Sequence, residues 1–122
     1  MKRGVIMSLF EKHFPRRTQG MEQMEQQAWL IYEELYEVLQ RLVNEKYDAS
    51  INDLVVCAVG HLVETEDIRV FATKNNFMVK RSFRIPSRYN EALEQLKRTY
   101  NISKNKLINI AIYNAIREEM GL

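Results

Sequence analysis

Two stretches of this chain can be laid over each other: "YDASINDLVVCAVGHLV" at 47–63 and "YNISKNKLINIAIYNAI" at 100–116. Tyr, Ser, Asn, Leu and Ala coincide, and most other positions agree in apolar character. A repeat of this kind constrains the fold more than composition does. Each copy is one supersecondary unit whose apolar face needs a neighbour.

Each copy opens on a polar turn and continues as a helix. Ser50 reads as an N-cap with Asp53 three residues on, an acidic variant of the capping box. The run behind it, "LVVCAVGHLVE", is apolar almost all round and is therefore predicted to be buried. Ser103 reads as the second N-cap. Its helix, "KNKLINIAIYNAIREE", carries Leu107, Ile108, Ala111, Ile112, Ala115 and Ile116 on one face, and Gly121 marks its end.

The segments preceding the two copies read differently. Residues 21–47 predict one long helix, with Leu35, Val38, Leu39, Leu42 and Val43 on one face. Before the second copy, "RYNEALEQLKRTY" predicts a helix N-capped by Ser87, with Tyr89, Leu93, Leu96 and Tyr100 as its stripe. Ahead of that lies "VKRSFRIP", which alternates: Lys80 out, Arg81 in, Ser82 out, Phe83 in, Arg84 out, Ile85 in. That is a strand with one polar face, ended by Pro86, which cannot donate to a ladder. The corresponding "QQAWLIYEE" has no basic residue and reads as helix, so the strand is not expected to repeat. Residues 66–76 fit either a helix extension or a strand and turn.

The net charge of +2 hides a strong asymmetry. Residues 1–19 hold five Lys/Arg against one Glu. Residues 20–76 hold four basic against eleven acidic, and residues 77–110 eight basic against two acidic. Two basic segments flanking an acidic one suggest a nucleic-acid surface confined to part of the molecule. The organisation expected is a basic arm over 1–20, an acidic helical region over 21–76 with a degenerate repeat, and a basic unit over 77–122.

Several function classes find no support. No Gly-rich phosphate loop, nucleophile–base pair or metal-ligand spacing is visible, so neither an enzyme nor a bound metal or cofactor is expected. His13 and His61 stand apart from any Cys, Asp or Glu at ligand spacing. Cys57 is the single cysteine and lies in an apolar run, where a thiol acts as a small hydrophobe in a reducing, cytoplasmic setting. No apolar run approaches the roughly 20 residues that cross a bilayer, and the N-terminus does not read as a signal peptide.

An alternating basic strand, a helix, a short turn and a Ser-led apolar helix: residues 79–119 resemble the ribbon-helix-helix (Arc/MetJ/CopG-like) family of DNA-binding proteins. The segments carrying the resemblance are "VKRSFRIPSRYNEALEQL" and "NISKNKLINIAIYNAI". It implies a mainly α chain acting as a homodimer, with one strand and two helices per chain. The two strands pair into a ribbon that reads the major groove of double-stranded DNA. By position, Lys80, Ser82 and Arg84 would read bases. Ser103, Lys104 and Asn105 would grip phosphate, joined by Arg81 and Lys106. The resemblance implies a transcriptional repressor in a bacterial cytoplasm, able to assemble further on DNA. Its alternatives are an accessory protein for plasmid transfer, copy control or segregation, and an antitoxin whose protein partner sits on residues 21–76.

Two observations bear on this reading from the residues themselves. Lys104 and Lys106 lie in the first turn of a helix, where cations oppose the macrodipole unless an anion docks there. Against it, a charged edge strand also deters aggregation, and both lysines would serve as ordinary surface residues. The duplicated motif leaves open whether the ribbon pairs between two chains or within one pseudo-dimeric chain.

Overall fold

The computed structural model describes Phe10 and residues 22–121. The basic arm expected over residues 1–20 therefore lies, Phe10 apart, outside the described residues. The described elements run β1 (Met24–Tyr32), α1 (Glu33–Glu45), α2 (Ile51–Thr65), β2 (Met78–Pro86), α3 (Ser87–Tyr100) and α4 (Lys104–Glu119). The architecture is mixed α/β, four helices and a two-stranded antiparallel sheet among the described residues. The order strand–helix–helix occurs twice.

The expectation of one helix over 21–47 is corrected: its first part is the strand β1. Met, Glu, Gln, Ala and Leu are good helix formers, which is why the segment reads as helix. The strand is imposed by pairing with β2, far along the chain, and by the alternation of buried Trp29 and Ile31 with exposed Ala28 and Leu30. Of the two pairings the duplicated motif leaves open, β1 and β2 adopt the one within a single chain.

The register fixes the symmetry. Met24 faces Pro86 and Tyr32 faces Met78. The shift that carries the start of β1 onto the start of β2 also carries Ala28 onto Ser82, and these two face each other. A pseudo-two-fold axis therefore passes between them. Contacts recur in pairs about it, as an isologous interface requires. The Glu33 amide donates to the Phe77 carbonyl at 2.9 Å, and the Ser87 amide donates to the Gln23 carbonyl at 2.9 Å. Both close a ribbon end onto the first helix of a repeat.

The helices cover one face of the ribbon. Trp29, Ile31, Phe83 and Ile85 point inward and are buried. Each strand packs on the second helix of the other repeat, β1 on α4 and β2 on α2. Leu54, Val55, Val59 and Leu62 of α2 join Leu107, Ile108, Ala111, Ile112 and Ala115 of α4 in one core. Phe10 is also buried there, its ring edge-on to Tyr47 at 5.9 Å.

Local signals decide the helix starts. Ser50 and Asp53 form the reciprocal capping box, each side chain bonding the other's backbone. Ser103 caps α4 by accepting from the Lys106 amide at 3.1 Å. Ser87 is not a cap. Pro86 holds that position, and the Ser87 hydroxyl is buried with no partner among the described residues.

Residues 66–77 are neither a helix extension nor a strand. Glu66, in the left-handed conformation with φ 52°, ends α2 and turns the chain away. The segment then crosses to β2 held by side chains. Asn114 donates to the Asp67 carbonyl at 2.8 Å. Phe71 stacks on Tyr113 at 4.6 Å and meets Tyr32 edge-on at 5.7 Å.

Candidate nucleic-acid interface

Among the described residues, helices pack on one face of the two-stranded ribbon and leave its other face uncovered. That face is built from three facing pairs, all exposed: Gln26 with Arg84, Ala28 with Ser82, and Leu30 with Lys80. The three sequence-predicted readers are thus brought together on one surface. It contains no carboxylate, so Lys80 and Arg84 give it a positive potential. Gln26, Ala28 and Leu30 are its other half. Sequence reasoning missed them because their segment reads as helix and carries no basic residue.

Two asparagines hold this face rigid. Asn105, the second residue of α4, accepts the Leu30 amide at 2.9 Å and donates to the Leu30 carbonyl at 2.9 Å. Asn52, the second residue of α2, accepts the Arg84 amide at 2.7 Å and donates to the Arg84 carbonyl at 2.8 Å. A side-chain amide offers a donor and an acceptor side by side, matching the outward N–H and C=O of one edge residue. Each clamp crosses from one repeat to the other. The coincidence of Asn52 and Asn105 in the repeat was the available signal. Asn109 adds a further hold on β1, donating to the Leu30 carbonyl at 2.9 Å and accepting the Tyr32 amide at 3.1 Å. Val56 occupies the equivalent place in α2 and can do neither.

The residues expected to grip phosphate are placed less uniformly. The Asn105 side chain is committed to the strand. Ser103 spends its hydroxyl oxygen on the Lys106 amide. Lys104 lies 3.5 Å from Glu94, which also faces Lys97 at 3.6 Å. Arg81 lies over the Tyr36 ring at 4.8 Å and donates to the Lys80 carbonyl at 2.8 Å. Lys106 is exposed in the first turn of α4. The equivalent turn of α2 holds Asp53, so the two ends of the ribbon are flanked by opposite charges.

Among the described residues no cluster of three His, Cys, Asp or Glu is arranged to hold a metal ion. No described helix is long and apolar enough to cross a membrane. Comparison of the chain with protein-family models, with curated proteins and with solved structures finds no match.

Proposed function

We propose that this protein binds double-stranded DNA with the uncovered face of its ribbon, in the major groove. The observation that carries the reading is the bare, carboxylate-free face holding Lys80, Ser82 and Arg84 on a strand whose backbone Asn52 pins. A two-stranded ribbon fits the major groove, where each base pair has its own donor and acceptor pattern. Arg84 and Lys80 suit guanine O6 and N7, and Ser82 can donate or accept. Lys106 meets a flanking phosphate. One chain supplies both strands, so a second copy is not needed to build the reading surface.

The resemblance in the sequence extends this to repression of transcription, by occupying an operator. Service at a plasmid or mobile-element locus is the other extension of the same binding act. A promoter reporter with the selected site separates them.

The test is titration of the full chain against a mixed-sequence duplex pool, single strands of the same pool, and both again with the Lys80→Ala/Arg84→Ala double variant. Duplex binding that weakens with salt and collapses in the variant is expected. Absence of duplex binding at low salt, or binding indifferent to the double substitution, refutes the proposal.

A further inference from the structure

The pseudo-two-fold axis relates backbones but not the side chains on the uncovered face. Rotation about it carries Arg84 onto Leu30 and Gln26 onto Lys80. One end of the ribbon therefore presents Arg84 beside Gln26, and the other presents Lys80 beside Leu30. Leu30 is 47% exposed on a strand pinned by Asn105 and Asn109. Nothing in the fold requires an apolar side chain at that place, since the equivalent position carries Arg84 and its backbone is clamped in the same way.

We infer that the protein, as one chain, recognises a single non-palindromic DNA site, one end read by Arg84 and Gln26 and the other by Leu30 and Lys80. The inference rests on the DNA-binding reading above and specifies its ligand. The chemistry of the two ends differs in kind. Arg84 makes a bidentate contact with guanine, and Gln26 makes one with adenine N6 and N7. Leu30 offers no hydrogen bond and favours the thymine methyl group, while Lys80 beside it is a point charge for a guanine acceptor. A homodimer places identical readers at both ends and so selects a self-complementary site. This chain is freed from that constraint because its two strands were never obliged to be the same.

The flanks reinforce the polarity. Asn105 clamps Leu30 from the first turn of α4, so exposed Lys106 lies toward that end. Asn52 clamps Arg84 from the first turn of α2, where Asp53 closes the capping box. Backbone phosphate contacts are accordingly expected beside the Leu30–Lys80 end.

The experiment is selection of bound duplexes from a random pool by the full-length chain, followed by native mass measurement of the complex on the selected site. The expected result is one chain per site and a motif that is not its own reverse complement. A duplex in which the Leu30–Lys80 half is replaced by the inverted Arg84–Gln26 half should bind about 10- to 100-fold more weakly. The symmetrised variant Gln26→Lys/Ala28→Ser/Leu30→Arg, its fold checked by thermal melting, should shift selection toward a palindrome. A palindromic motif from the natural chain, or two chains required on the shortest selected site, overturns the inference and leaves DNA binding standing. Failure to retain any duplex overturns both.

Discussion

Tyr47 donates its hydroxyl to Glu119 at 2.7 Å, and the repeat-equivalent Tyr100 donates to Glu66 at 3.0 Å. Each bond leaves one repeat and lands on the last turn, or the cap, of the other repeat's second helix. The two bonds are the same contact made twice about the pseudo-two-fold axis, but their surroundings differ. The Glu119 side chain is 3% exposed and also pairs with Lys46, whereas Glu66 is exposed.

That difference sets unequal mutational costs. Tyr47→Phe removes a donor from a buried carboxylate and should destabilise the fold by about 1–3 kcal/mol. Tyr100→Phe should stay within about 0.5 kcal/mol. Urea unfolding of both variants measures the gap. The hydrogen bond to Glu119 holds the Lys46 ammonium above its ordinary pKa, against a smaller opposing pull from burial. A raised folded-state value means that this pair's contribution is present at neutral pH and fades only as pH climbs past the lysine range.

The amide clamps make a second prediction. Asn52→Ala and Asn105→Ala each remove two hydrogen bonds from an exposed strand edge, and each should cost about 1–3 kcal/mol. Hydrogen exchange localises the effect: the Arg84 amide loses protection in the first variant and the Leu30 amide in the second. Asn105→Ala should cost the less of the two, since Asn109 still holds the Leu30 carbonyl and the Tyr32 amide. Equal, global loss of protection in both would contradict separate clamps.

Cys57 should be unreactive toward a thiol reagent at mildly alkaline pH and react once the chain is unfolded. Its side chain is buried, and burial, with a smaller push from Asp53, raises its pKa from 9.0 to about 12. Sulfur reacts as the thiolate, so both access and ionisation are denied. Since the folded value lies above the unfolded one, the thiol's contribution to stability is intact below the ordinary thiol range. It is lost as pH rises from there toward about 12.

Gly60 lies in α2, where an added Cβ would stand 2.7 Å from the Tyr89 hydroxyl and 3.0 Å from its ring carbon Cζ. Gly60→Ala should therefore be destabilising by about 1–3 kcal/mol despite alanine's better helix propensity. In the other repeat the equivalent positions are Tyr113 and Leu35, so the large ring sits on the second helix instead of the first. Tyr89→Leu should consequently relieve the alanine. A double-mutant cycle that came out additive would show that the two side chains do not compete for the same space.

On DNA, Arg84→Ala and Lys106→Ala should separate specificity from affinity. The first should cost about 1–3 kcal/mol on the selected site and relax preference at one base pair. The second should weaken all duplexes alike and make the slope of log affinity against log salt shallower by roughly one unit. Anisotropy titrations across a salt series on cognate and scrambled duplexes read both quantities.

What could be read from the residues alone follows from where the information sits. Ser50, Asp53 and Ser103 declare their helices because a cap is a contact within one turn. Lys80 to Ile85 declare β2 because polar and apolar side chains alternate from Ser82 to Ile85 and Pro86 follows directly. The strand from Met24 to Tyr32 could not be read in this way. Its residues favour a helix locally, and only the ribbon partner and the core beneath Trp29 and Ile31 overrule them. The clamp by Asn105 was hidden for a related reason. The resemblance assigns Asn105, at a helix start, to phosphate, and its actual partner, Leu30, lies in the segment that reads as helix. With β1 unseen, half of the uncovered face was unseen too.

The crossing segment over residues 66–77, anchored by Asp67 and Phe71, has a consequence for how the protein behaves at low abundance. Two separate half-molecules must first find each other, so the amount of assembled ribbon falls as the square of their concentration when they are scarce. A covalent link presents each half to the other at an effective concentration that for short linkers is on the order of millimolar. The amount of assembled ribbon then follows the first power of the number of chains. A handful of molecules retains its assembled ribbon under dilution that would dismantle a two-chain equivalent.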